Sequence, residues 1–337
     1  MTGVRIAVCV SCVLHAPFAR AQSISPITTE AAVSSGASTD DETAVVATQL
    51  RAFGEVGPQI RYYAEAAWAA SSDVASGAFG VAYPYGNRVQ VIESYAERVF
   101  QPAGKLVVVR AGRFRPPFGI YNASDHAYIG FLRAPLIRYD SNFALSNNFL
   151  EQGAAVTAGV PWLTVATSVG RPGDVGAAAR QPGLDTVLRA QTSAGPFIVG
   201  LSRIRTPPNL TGSWVHGRME FSGLDLRWMR DGVQFRGEWI TGRPFDGTTT
   251  SGWYADAIVH RVAMGPVTAV ARVERVDYDT SPPFDLHKRR QMLGARVRIR
   301  QGLSTQVNVL HQTGQPDTYG AVALDIGVTY SVRMPIR

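Results

Sequence analysis

The chain has 337 residues, 45% of them hydrophobic, and a formal charge of +7, enough for one large domain. Past the N-terminus no run of about 18 apolar residues occurs, which excludes a helical membrane protein. Nearly all basic residues are arginine, Lys105 and Lys288 being the only lysines, and no basic-aromatic nucleic-acid module is present. Arginine-rich chains suit two-pronged binding of carboxylate or phosphate, although a GC-rich genome gives the same bias.

Residues 1–21 read as a cleaved secretory signal. Arg5 precedes a mostly apolar stretch from Ile6 to Phe18, and Ala19-Arg20-Ala21 offers a small-x-small cleavage site before Gln22. Cys9 and Cys12 both lie inside this segment, so the processed chain has neither disulfide nor thiolate chemistry. A lipoprotein reading of Cys12 fits poorly, because the apolar residues continue past it. Residues 22–43 are rich in Ser, Thr and Ala and close on Asp40, Asp41 and Glu42, which predicts a flexible leader.

From residue 44 to 337 the pattern changes to strand-like segments of about 9 to 13 residues, the length of tilted membrane strands. They run over 44–56, 59–70, 88–100, 105–114, 151–159, 162–170, 184–194, 196–206, 218–230, 232–242, 252–264, 266–277, 289–301, 303–313 and 320–333. Most alternate with a period of two, which puts polar and apolar side chains on opposite faces. Arg61, Tyr63 and Glu65 oppose Ile60, Tyr62, Ala64 and Trp68. Asp185, Arg189 and Gln191 oppose Leu184 and Leu188, while Gln234, Arg236 and Glu238 oppose Val233, Phe235 and Trp239. Further on, Asp256, Arg272, Glu274 and Asp325 face away from Trp253, Val267, Val273, Val322 and Ile326. The alternation is plainest from Arg290 to Arg300, where Met292, Gly294, Arg296 and Arg298 share a face opposite Leu293, Ala295, Val297 and Ile299.

Connections near Gly57, Pro102, Val160, Gly195, Asp231-Gly232, Gly265 and Gly302 are short; those at 71–87, 114–150, 171–183, 207–217, 243–251, 278–287 and 314–319 are longer. Short and long alternate, as in a transmembrane antiparallel up-and-down β-barrel with tight periplasmic turns and long outer loops. Strands apolar on one side only, with no helix to cover them, fit a closed wall surrounded by lipid. Tyr62, Trp68, Trp162, Trp228, Trp239, Trp253 and Tyr330 would form its interfacial aromatic girdles. Fifteen segments cannot make an even-numbered barrel. The fold is therefore all-β with either 14 strands starting near 59 or 16 with an extra weak strand in the leader.

The stretch Arg110 to Asn122, R-A-G-R-F-R-P-P-F-G-I-Y-N, ends a strand and opens a long loop. With Pro-Leu at 135–136 and Glu-Gln-Gly at 151–153, it resembles the phosphate-selective porin O and P family of outer-membrane porins. The resemblance implies a water-filled channel in the outer membrane of a Gram-negative cell, passing small polar or anionic solutes, and porins of this type are often homotrimers. Two departures stand against a closer match. The processed chain is shorter than typical members of that family, and it ends Met334-Pro335-Ile336-Arg337 rather than on an aromatic residue; separately, two lysines are too few to carry over phosphate selectivity.

Pore-lining candidates are Arg61, Arg189, Arg227, Arg236, Arg272, Arg296, Arg298 and Arg300, with acids Glu65, Asp185, Asp225, Glu238, Asp256, Glu274 and Asp325 on the same faces. An arginine excess predicts a mild anion preference, strongest beside Arg296, Arg298 and Arg300; these three arginines read equally well as a structural ladder paired to acids on adjacent strands. The loop 115–150 is too aromatic for a free surface loop. It predicts a constriction folded into the barrel, with Phe118, Tyr121, His126, Arg133, Arg138 and Asp140 as its candidates. The alternative is a plugged barrel serving as a rim-site hydrolase, adhesin or structural anchor. Its enzymatic form is weakly supported: Asp256 and His260 are about 13 Å apart along a strand, no metal motif occurs, and no cofactor is implied.

Overall fold

The computed structural model of the chain describes residues 27–39, 44–57, 59–71, 89–120, 131–139, 151–172, 183–206, 209–211, 214–216, 219–243, 249–262, 265–279, 286–314 and 322–336. The strands are β1 (Ile27–Ser38), β2 (Ala44–Val56), β3 (Ile60–Ser71), β4 (Gln90–Phe100), β5 (Leu106–Phe114), β6 (Glu151–Val160), β7 (Leu163–Pro172), β8 (Asp185–Ala194) and β9 (Phe197–Thr206). They continue as β10 (Asn209–Thr211), β11 (Trp214–His216), β12 (Met219–Arg230), β13 (Val233–Arg243), β14 (Thr249–Val259), β15 (Val267–Asp279), β16 (Leu286–Arg300), β17 (Leu303–Gly314) and β18 (Val322–Ile336). Among the described residues between β5 and β6 lies a short helix, α1 (Leu136–Tyr139).

Sixteen of these strands form one closed antiparallel barrel, and β10 and β11 make a small separate hairpin between β9 and β12. Every barrel strand pairs with its neighbour in order, and β18 closes on β1 from Ile27↔Ile336 to Ser38↔Asp325. Among the described residues, closure leaves the barrel sheet without an edge strand. Turn chemistry fixes the register locally. Asp231 and Gly232 both have positive φ, 49° and 82°, the type I′ geometry that matches strand twist, so Arg230 sits opposite Val233 and alternation carries up both strands.

The middle of the outer wall is apolar. Leu50, Leu188, Leu201, Leu226, Leu293 and Val309 are all exposed on outward positions. So large an uncovered apolar surface suits a lipid solvent rather than water. Trp162 and Tyr330 ring the end bearing the turns; Trp239 and Trp253, directly opposite one another, stand nearer the other end.

All fifteen expected strands occur, with ends shifted by a few residues. The flexible leader expected at 22–43 is corrected: Ile27–Ser38 is β1, hydrogen-bonded on both sides, and it supplies the sixteenth strand. Its small Ser, Ala and Gly residues carry little hydrophobic signal, so pairing with β2 and β18 decides its conformation rather than propensity. The strict alternation of loop lengths also fails at one place. Strand β14 stops at Val259, and the connection 260–266 is as long as several at the opposite end, because Arg261 takes a positive φ of 56° and Gly265 N–H bonds back to Val262 O. The expected signal segment lies outside the described residues.

Candidate functional site: the inner wall and its inward segment

Alternation turns charge inward. Asp185, Glu65, Arg189, Asp225, Arg236, Glu238, Asp256, Arg272, Glu274, Arg290 and Asp325 are all buried inside the barrel. Strand register pairs many of them directly. Arg236 faces Asp256, Asp256 faces Arg272, and Glu274 faces Arg290. Asp256 accepts from Arg236 Nε at 2.8 Å and from Arg272 Nε and Nη2 at 2.7 and 2.9 Å. Arg189 holds Asp225 through Nη1 and Nη2 at 2.6 and 2.9 Å, and Arg227 donates to Gln191 Oε1 at 2.7 Å. Arg61 pairs with Glu55 at 2.9 Å in a half-exposed position. Glu65 takes Tyr63 Oη–H at 2.6 Å and lies 3.6 Å from Arg51.

The ladder of three arginines on β16 is interrupted. Arg296 and Arg298 sit opposite Gln306 and Ser304, both inward residues. A bulge at Ile299 then places Arg300 opposite Leu303, whose partner Tyr330 is on the outer face. Arg300 therefore leaves the inner row, because one extra residue in a strand reverses the face of all that follow. Arg298 is exposed and makes no ion pair among the described residues.

The described part of the long loop folds into the barrel. Phe118, Phe131, Leu132, Arg133, Ala134, Leu136 and Ile137 are buried there. Wall side chains receive the backbone polar groups of 132–136. Leu132 N–H donates to Asn308 Oδ1 at 2.6 Å and Leu136 N–H to Glu274 Oε2 at 2.6 Å. Arg272 Nη1 donates to Arg133 O at 2.8 Å, and Arg290 Nη2 donates to Ala134 O. The Arg133 side chain spans the closing seam: Nε and Nη2 reach Asp325 on β18 at 2.7 and 3.0 Å, and Nη2 reaches Ser38 on β1 at 2.8 Å. Arg272 stacks under the Phe131 ring, 4.0 Å from its centroid. Two wall glycines allow the close fit: a Cβ on Gly327 would come within 2.6 Å of Leu132 Cδ2, and one on Gly252 would collide with Ile137.

This docking uses an inner-wall feature absent from the sequence-based assignment. Val187, Ile204, Phe221, Ile240, Tyr254, Val276 and Tyr278 point inward and pack with Phe118, Ala134, Leu136 and Ile137. A second cluster joins Phe131 to Ile258, Val270, Met292, Leu310 and Ala323. Apolar residues at inward positions of adjacent strands were the available sign that something must cover them. Glu30, Arg51, Glu93, Glu97, Arg110 and Arg290 are further inward ionisable groups outside the candidate set. Of these, Arg110 holds Glu97 at 2.8 Å and lies over the Tyr95 ring at 4.2 Å.

Of the constriction candidates, Phe118 and Arg133 are inside the barrel and Arg138 belongs to α1; Tyr121, His126 and Asp140 lie outside the described residues. Asp256 and His260 form no dyad. Asp256 is locked between two arginines, and His260 sits in the turn after β14, its backbone N–H donating to Gly232 O. Partial burial and then the nearby Arg296 charge lower the His260 pKa below its usual value.

No family model matches the chain, and no curated protein matches it. Solved structures do. The chain is similar to Pseudomonas putida OprB (11% identity, 91% of this chain and 93% of that one, TM-score 0.64). It is also similar to Salmonella typhi OmpF in complex with daunomycin (12% identity, 91% and 97%, TM-score 0.63). A third likeness is to a loop-deletion mutant of OmpT, an outer membrane protein of Vibrio cholerae (11%, 91% and 98%, TM-score 0.59). At these identities the likeness establishes a shared barrel fold.

Proposed function

We propose that the protein is a porin of the Gram-negative outer membrane, exported by the cleaved signal at 1–21, through which small polar and anionic solutes diffuse passively. The observation that carries this reading is the inverted wall: Arg298 and the ion-paired charges face inward while Leu201, Leu226 and Leu293 face outward in a closed 16-stranded barrel. A barrel of about 16 strands is wide enough to leave an aqueous bore. The inward segment packs on the wall from β8 through β18 and reaches Ser38 on β1, which supports a narrowed, size-limited pore. Most inner arginines are neutralised by a carboxylate partner, so the anion preference is weak, and it rests on Arg298, which is exposed toward the turn end and makes no ion pair among the described residues. Phosphate is one anion in the series to be tested, and a homotrimer is the assembly proposed with this reading.

Planar-bilayer recording of the purified, folded chain tests it. Stepwise conductance with a reversal potential displaced modestly toward the anion equilibrium is expected. A silent barrel would reject the channel in favour of a plugged one, and cation selectivity would reject the assigned lining.

A further inference from the structure

Register gathers a second set of arginines on the outer wall. Level with Trp239 and Trp253 and beyond them, toward the end bearing the long loops, the outward positions become basic. Arg203 and Arg205 on β9, Arg243 on β13 and Arg289 on β16 are exposed, and Arg275 on β15 is half-buried. Glu220 on β12 lies 3.5 Å from Arg203 and 3.2 Å from Arg205, and Asp277 holds Arg275 at 2.7 Å. Arg243 and Arg289 make no ion pair among the described residues. Arg289 is moreover directly opposite Arg275. Like charges across neighbouring strands are destabilising unless an anion lies between them.

Depth decides which anion. Arg275 stands opposite Trp253, and tryptophans of a barrel wall mark the boundary between hydrocarbon and headgroups. The belt thus emerges from the lipid-facing surface at headgroup level, where the guanidinium fork matches a phosphate. We infer that the outward belt of Arg203, Arg205, Arg243, Arg275 and Arg289 binds phosphate-bearing lipid headgroups of the leaflet on the long-loop side. This rests on the membrane-barrel reading above.

The test uses the full chain in phosphatidylcholine vesicles, with electron spin resonance of spin-labelled phosphatidic acid or phosphatidylcholine reporting lipids immobilised at the barrel. Phosphatidic acid should be preferred by about fivefold, the worth of roughly one cation meeting a charged headgroup. The double variant Arg243→Ser/Arg289→Ser should lose most of that preference while keeping the immobilised phosphatidylcholine signal. Equal retention of both lipids by the unmodified protein, or an unaltered preference in the double variant, would overturn the inference alone. Complete absence of immobilised lipid would instead overturn the membrane reading. Inorganic phosphate substituted for chloride at constant ionic strength should leave the preference intact; its abolition would make the belt a site for the free anion and refute the lipid assignment.

Discussion

Replacing Arg133 with leucine tests whether the inward segment is held by its bridge to the barrel seam. Arg133 and Asp325 are both nearly inaccessible, at 9% and 0% side-chain exposure, and the substitution leaves the Asp325 carboxylate with the Ser38 Oγ–H and no cation. An uncompensated buried carboxylate costs about 3–5 kcal/mol. Water can reach Asp325 once 131–137 lifts away, so the cost falls mainly on the docked state. The docked-to-undocked ratio should then fall by about two to four orders of magnitude. The apolar anchors Phe131, Leu136 and Ile137 and the remaining backbone hydrogen bonds retain part of the docking. Bilayer recordings of Arg133→Leu should show larger unitary steps and frequent open-channel transitions, and trypsin should cleave after Arg138 faster than in the unmodified chain. The double variant Arg133→Leu/Asp325→Leu removes both charges and should recover part of the protection, since apolar replacement of a buried ion pair is often tolerated. Conductance and trypsin resistance indistinguishable from those of the unmodified chain would refute the bridge as the determinant of docking.

Three further outcomes follow from the same geometry. Asp256→Ala removes the carboxylate shared by Arg236 and Arg272 and strands two buried cations; a loss of about 3–5 kcal/mol should appear as a lower midpoint in urea unfolding followed by gel mobility. Arg298→Ser should move the reversal potential toward zero, whereas Arg300→Ser, beyond the bulge, should move it less; the opposite order would contradict the register. His260 has a lowered pKa in the folded chain, so below its ordinary value of 6.5 the unfolded chain binds more protons. Its contribution to stability is present above that value and declines as pH falls through the window, and His260→Gln should flatten the decline in pH-dependent unfolding.

Period-two alternation alone located fifteen of the strands and told their two faces apart, because a side chain's face depends on its parity along the strand and needs no knowledge of neighbours. The aromatic, loop-length and charge patterns then indicated a barrel rather than a sandwich. What lay beyond local reading was decided by pairing. Ile27–Ser38 became a strand only because β2 and β18 present partners on both sides, and the bulge at Ile299 was invisible until Arg298 and Arg300 were set against Ser304 and Leu303. The aromatic loop suggested an inward course, but its receptor is assembled from Ser38, Glu274, Arg290, Asn308 and Asp325, residues far apart in the chain. Closing a barrel joins the first strand to the last. Contacts that depend on that closure are set by register around the whole ring, which no local window of sequence contains.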